Sequence, residues 1–188
     1  MLTLWLIRHA RTLAPEGVCY GASDVAADPA DTALAAQQAA AQLPQGIALY
    51  TSPLQRCTAL AQQLRTLRPD LDRAQVQADL AEMNFGTWEG QRWDAIARAD
   101  FDAWMSDFAH HRAGGGESTQ ALMQRVTRFL HHLQGARIRQ AACVCHAGTI
   151  RALHHMALHG QQPLISASQW PAIDIPFGSC TPLGFASF

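Results

Sequence analysis

The stretch Leu4-Trp5-Leu6-Ile7-Arg8-His9 constrains the fold more than any other part of the chain. It is an apolar, β-prone run with no polar–apolar alternation, which suits a strand covered on both faces. It ends in two cationic side chains that would be costly to bury unpaired inside a core. At the end of a strand the same two can point into a cleft and meet an anion. Two later runs repeat the design. Residues 47–51 lead into Ser52-Pro53, with Arg56 one turn further on, and residues 141–145 lead into His146-Ala147-Gly148. Ligands of parallel α/β sheets bind at the carboxyl ends of the strands, so all three segments are expected to deliver cations to one edge. The helix starts expected after Ser52 and after Gly148 favour an anion at the same edge.

Between these runs the pattern is helical. Residues 31–43 are rich in alanine and glutamine, with Asp31 or Thr32 as a candidate cap and Pro44 and Gly46 as the stop. Ser52 reads as the cap of a second helix, with Pro53 in its first turn and Leu54, Cys57, Leu60, Ala61, Leu64 and Leu67 on one face. Pro69 ends it. Residues 74–78 read as a short strand and 79–90 as irregular chain. Residues 93–108 read as one or two helices, and the glycine run within 113–117 as a mobile loop. Residues 118–133 are amphipathic, 149–158 are helical with Gly160 as cap, and 161–179 read as loop apart from a possible strand near Ile173. A late strand is expected over 181–188. Helices alternating with strands give an α/β class with a mostly parallel central sheet. The 188 residues show no linker and no repeat, so a single domain over 1–188 is expected.

Composition removes several functions. A net charge of -1 gives no general attraction to nucleic acid or to an anionic membrane. All 14 basic residues are arginine, which excludes Schiff-base chemistry and a P-loop lysine. No apolar run approaches the roughly 18–20 residues of a membrane span, and residues 1–7 lack the basic start and cleavage site of a signal peptide. The five cysteines make an odd count without framework spacing and read as reduced thiols of a cytoplasmic protein. Cys143 and Cys145 are expected on opposite faces of a strand, unable to close on a metal. His110-His111, His131-His132 and His154-His155 with His159 read as helix-surface histidines.

The residue types at the strand ends fit phosphoryl transfer. That reaction needs a nucleophile, positive donors for the equatorial oxygens and an acid for the leaving oxygen. A neutral imidazole can attack if its other nitrogen donates to a carbonyl, which fixes the tautomer. Arg8 and Arg56 offer forked, permanent charge. Glu82, in a loop with Phe85 and Trp88, is the leading candidate for the acid, ahead of Glu89 and Glu117. The aromatic residues Trp93, Trp104 and Phe108 read as core or lid packing, and the Tyr20-Gly21 loop as a candidate substrate contact.

At these residues the chain resembles a known family. The ordered motifs are Arg8-His9-Ala10-Arg11-Thr12, Ser52-Pro53-Leu54-Gln55-Arg56, Glu82 through Gly90, Gly115-Gly116-Glu117-Ser118, and Val144 through Arg151. Together they resemble the histidine phosphatase superfamily, the phosphoglycerate mutase-like clan. The resemblance implies a three-layer αβα sandwich with no metal and no organic cofactor. It implies His9 as the nucleophile that becomes phosphohistidine, Arg8 and Arg56 as phosphate binders, His146 as the second histidine on the phosphoryl group, and Glu82 as proton donor. Tyr20, Gly21, Ala147 and Gly148 are expected to line the substrate site. The chain departs from the family pattern at Ala10 (usually glycine), at Arg11 (commonly Glu or Gln) and at Pro15 (often an asparagine). A glycine-only backbone at position 10 would strain an alanine.

The short chain is similar to the phosphatase branch rather than to the mutases. Residues 19–24, 82–89 and 172–175 look like those of α-ribazole phosphatases of cobalamin synthesis. The implied activity is a metal-independent phosphomonoesterase on a small phosphorylated metabolite. The alternatives are a broad-specificity phosphatase, a phosphoglycerate mutase, or a phospholigand-binding protein without catalysis. Whether the protein is a monomer or a homodimer is left open by the sequence.

Overall fold

A computed structural model describes residues 1–186. Five strands form one sheet: β1 (Leu2–Arg8), β2 (Ala48–Thr51), β3 (Gln75–Val76), β4 (Gln140–Cys145) and β5 (Cys180–Phe185), in the order β3-β2-β4-β1-β5. β4 lies parallel to both β1 and β2, with Leu6 opposite Cys143 and Tyr50 opposite Cys143 on its other side. β3 is parallel to β2, and only β5 runs antiparallel, along β1. Its Pro182 is tolerated because β5 is an edge strand. Ser187 and Phe188, the end of the expected last strand, lie outside the described residues.

The three inner strands are covered on both faces, and their side chains alternate between two cores. Leu4, Leu6, Tyr50, Ala141, Cys143 and Cys145 face one cluster, which includes Leu122, Phe129, Ile150 and Leu153 from α4 (Thr119–Gly135) and α5 (Ala147–His159). Ile7, Leu49, Ala142 and Val144 face the other, with Ala35, Ala36, Leu60 and Leu64 from α1 (Pro29–Gln42) and α2 (Gln55–Leu67). This is the expected αβα layering. Each fully buried leucine contributes roughly 1.5–3 kcal/mol of transfer free energy. The same alternation corrects one expectation: Cys143 and Cys145, two residues apart, share a face of β4 because the strand period is two. All five cysteines are free and buried.

Several local expectations change. α1 is capped by Asp28, not by Asp31 or Thr32. Asp28 Oδ1 accepts from the N–H groups of Ala30 (2.9 Å) and Asp31 (3.0 Å), with Pro29 at the first helical position. α2 starts two residues later than expected, with Leu54 as an N-cap that offers no side-chain bond. The 93–108 segment is a 3₁₀ turn followed by α3 (Arg98–Ser106). The glycine run of 113–117 is not a free loop: Glu117 N–H donates to Asn84 O (2.6 Å) and Thr87 Oγ1 to Gly114 O (3.2 Å). No strand forms at Ile173, whose carbonyl accepts from Arg151 (3.2 Å). His155 is buried on the inner face of α5, not at the surface, with Nδ1 3.2 Å from Gln169 O. Ala10 needs no glycine, since Arg137 is the sole non-glycine residue with positive φ among the described residues.

Candidate active site

β1, β2 and β4 end side by side, and their register brings Arg8, Ser52 and His146 to one edge of the sheet. Arg8 is the last residue of β1, opposite Cys145, and His9 N–H donates to Cys145 O (3.1 Å). The rings of His9 and His146 therefore face each other with centroids 5.1 Å apart.

The His9 ring is 2 % exposed. Its Nδ1 lies 2.7 Å from Ala10 O, so that nitrogen carries the hydrogen and Nε2 carries a free lone pair. Burial, reinforced by the charges of Arg56 and Arg8, pushes its pKa from 6.5 down to about 3 against the opposing bond to Ala10. The ring is thus neutral through the physiological range. His146 is buried and also driven well below the ordinary value, first by desolvation and then by His9 and Arg56. Arg56 Nε–H donates to its Nδ1 (3.3 Å), which leaves Nε2–H to donate to Ser52 Oγ (2.7 Å). Ser52, expected as the helix cap, lies two residues ahead of the cap, accepts there from Leu54 N–H (3.3 Å) and also fixes the His146 tautomer.

Arg56 is wholly buried. Its two terminal nitrogens donate to Ser23 O (2.7 Å) and Gly21 O (2.6 Å). Arg8 donates to Ile175 O (2.5 Å), and its Nε is buried with no partner. Neither guanidinium has a carboxylate within ion-pair distance among the described residues. A wholly buried Arg56 and a half-buried Arg8, neither paired with a carboxylate and both beside two neutral imidazoles, make a site that lacks, and so attracts, an anion. The thiol of Cys57 lies 3.4 Å from His146 Nε2, but burial raises its pKa well above the ordinary value and keeps it an unreactive thiol.

The three candidate acids separate by what they hold. Glu89 accepts from the N–H groups of Ala22, Ser23 and Phe85 and from the Ser23 hydroxyl, tying two loops together. Glu117 forms a bidentate pair with Arg125 (2.8 and 3.0 Å). Glu82 reaches the start of α5, where Oε2 accepts from Gly148 N–H (3.1 Å), and its Oε1 accepts from Met83 N–H (3.0 Å). A Cβ at position 148 would collide with this carboxylate, which is why a glycine stands there. Arg125 also donates to Asp79 O (2.8 Å) and Ala81 O (2.7 Å), and Thr149 Oγ1 to Ala81 O (2.8 Å), so the backbone just before Glu82 is clamped from two helices. Arg125 was not singled out from the sequence. Its signal was a charge on the apolar stripe of α4, three residues after Leu122.

A cavity of about 400 Å³ is lined by Arg8, Tyr20, Gly21, Glu82, Ala147 and Gly148. All four predicted substrate contacts thus share one space with an arginine and the candidate acid. The remainder is largely aromatic, with Phe85, Trp104, Phe108 and Trp170. His9, Arg56 and His146 are not part of this lining. The rings of Tyr20 and Phe177 flank His9 at 6.4 and 5.6 Å, and Phe177 also packs on the Arg8 guanidinium at 3.7 Å. Phe177 is 42 % exposed. No sequence pattern pointed to Phe177. Of the departures from the family pattern, Arg11 is spent on a surface pair with Asp31 (2.8 Å). The expected anion sites at the two helix starts are occupied by protein carboxylates: Glu82 at α5, and Asp24 at α2 through Gln55 N–H (2.6 Å).

Residues 4–184 match the family model of the histidine phosphatase superfamily (branch 1). An adenosylcobalamin/alpha-ribazole phosphatase of Escherichia coli K12 is 33% identical over 162 residues, covering 81% of this chain and 77% of that protein. The crystal structure of an alpha-ribazole phosphatase from Shigella flexneri superposes with a TM-score of 0.77 at 25% identity, over 96% of this chain and 89% of that one. A mycobacterial glucosyl-3-phosphoglycerate phosphatase shares the fold with a TM-score of 0.79 at 24% identity, over 96% and 89% of the two chains.

Proposed function

This chain belongs to the histidine phosphatase superfamily and is a phosphatase, and on that premise we propose that it is a single-domain phosphomonoesterase working through a phosphohistidine on His9. The observation that carries the reading is the His9 imidazole itself: buried, neutral, and oriented by Ala10 O so that Nε2 presents its lone pair. Nε2 attacks phosphorus in line, and the bond to the leaving oxygen breaks. Glu82 gives that oxygen its proton and becomes carboxylate. Arg8 and Arg56 hold the equatorial oxygens, supplying charge that a metal would otherwise supply, and His146 joins them by turning its Nε2–H from Ser52 to the phosphoryl group. Water then attacks the phosphohistidine, Glu82 takes its proton, and the P–N bond breaks to release phosphate. No cofactor enters either step.

The proposed substrate is α-ribazole-5′-phosphate, a small metabolite of the cytoplasm. Two features support it. One is the 33% identity to the Escherichia coli enzyme. The other is the aromatic lining of a cavity large enough for a heterocyclic ring, since ligand cavities start at about 300 Å³. No helix of the described residues is long and apolar enough to cross a membrane.

Phosphate release in the presence of a chelator, with an acid-labile phosphate trapped on the wild type and absent from His9→Ala, is the expected result. Full turnover by His9→Ala would end the proposal. A panel of α-ribazole phosphate, sugar phosphates and phosphoglycerates ranks the substrates. Formation of 2-phosphoglycerate from 3-phosphoglycerate would identify a mutase instead.

A further inference from the structure

Buried polar atoms without a partner are scarce in folded proteins, and each one has to have a reason. Among the described residues five such side-chain atoms occur: Trp5 Nε1, Arg8 Nε, Trp104 Nε1, Thr119 Oγ1 and His155 Nε2. Three of them, on Arg8, Trp104 and Thr119, belong to residues that line the aromatic cavity. Arg8 is accounted for by the phosphoryl group. The other two have no part in the phosphoryl chemistry.

Thr119 is 1 % exposed and is the first residue of α4. The cap of that helix is already supplied by Ser118, whose Oγ accepts from Ala121 N–H (3.2 Å), so the Thr119 hydroxyl is not spent there. Trp104 is held by its neighbours: its ring stacks on Phe108 at 5.3 Å and meets Trp88 edge-on at 5.8 Å. Two donors are therefore kept in place within the wall of a cavity whose other lining is mostly apolar, with Arg8, Glu82 and Arg151 as the charged residues. Sealing that cavity with a hydrocarbon would leave both unpaired, which is the arrangement binding sites use to reject such a ligand.

We infer that Thr119 and Trp104 form the recognition subsite for the leaving group, and that the group is a planar apolar ring bearing a hydrogen-bond acceptor. The acceptor receives the Trp104 Nε1–H and the Thr119 O–H, while the ring body packs on Phe108 and Trp170. This deepens the reading above and rests on the leaving group occupying this cavity. It separates acceptor-bearing rings from hydrocarbon rings of the same shape, which the phosphoryl machinery alone does not do.

The test uses 1-naphthyl phosphate against quinolinyl and isoquinolinyl phosphates that move one ring nitrogen around the same outline. At least one aza ester should exceed the naphthyl ester by about tenfold or more in kcat/KM, through KM. Thr119→Val, which keeps the shape and removes the hydroxyl, and Trp104→Phe should cut that preference to about threefold or less. Equal handling of both ester classes by the wild type, or variants that slow both classes in parallel, would overturn the subsite. Titration with free quinolinols and 1-naphthol, followed by tryptophan fluorescence, reads the same preference without chemistry. A retained binding preference without turnover would fault the phosphohistidine reading and uphold the subsite. Turnover with indifferent binding would do the reverse.

Discussion

Helices α1 and α4 begin in a different way from α2 and α5. The first pair are capped by their own preceding residue, Asp28 and Ser118, two or three positions from the N–H they satisfy. The second pair have no side-chain bond from their N-cap residues. Their first turns are completed by Asp24, 31 residues before its partner, and by Glu82, 66 residues before its partner. α1 is scaffold, and α4 meets the site through Thr119 and Arg125. α2 carries Arg56, and α5 follows His146 directly. A helix with its own cap has its start signal written locally. A helix capped by a distant loop is complete only when that loop has docked. In this protein the favourable field of the site helices is spent on holding the loops that build the site, Glu82 among them.

Glu82→Gln breaks the comparison at its most sensitive point. The amide oxygen can still accept from Gly148 N–H, but no proton is available for the leaving group. Turnover of alkyl phosphates should fall by about 10²–10⁴-fold, with the melting temperature nearly unchanged. Loss of stability without loss of turnover would show Glu82 to be a cap alone. Gly148→Ala is the complementary change, since its new methyl displaces the carboxylate. Turnover should fall by about 10–100-fold, because misplacement of a reacting group by about 1 Å has that scale of effect. Urea unfolding should show little destabilisation, as alanine is the better helix former.

Acid sharpens the same contrast, because the buried neutral histidines lie on the site side. His9 binds its proton at about 3 when folded and at 6.5 when unfolded. The unfolded chain therefore takes up the proton first. Stability is flat with respect to this group above pH 6.5 and falls as pH drops from 6.5 towards 3, by up to about 1.4 kcal/mol per pH unit. His9→Asn should remove that part of the slope in unfolding measured across pH. His146, shifted in the same direction, keeps its own contribution.

The smallest effects compare the caps themselves. Asp28→Ala and Asp24→Ala should each lower stability by about 1 kcal/mol. Only Asp24→Ala should also weaken binding of inorganic phosphate, measured by calorimetry, because Asp24 adjoins Ser23, whose carbonyl holds Arg56. Equal phosphate affinity in the two variants would mean that remote capping has no bearing on the site.

How much of this was readable depended on how local each cause is. The strands could be read because burial on both faces removes alternation and leaves runs such as Leu4–Ile7 and 141–145. The meeting of Arg8, His9, Arg56 and His146 could be anticipated because parallel strands put their carboxyl ends together. Ser52 was misread, since a serine before a proline looks like a cap whether or not an imidazole 94 residues away takes its oxygen. The roles of Glu82, Glu89 and Glu117 could be ranked by motif but not separated. Each differs from the others only in which distant N–H or guanidinium it meets.

Sequence by itself therefore settled the α/β class and the chemical types gathered at the sheet edge, because periodicity and strand ends are short-range properties of the chain, and its ordered motifs carried the resemblance to the family. Tertiary structure alone decided which carboxyl stays at the cavity, which tautomer each histidine holds and which donors are left without partners. Those are outcomes of hydrogen bonding between segments tens of residues apart, and no local pattern encodes the partner.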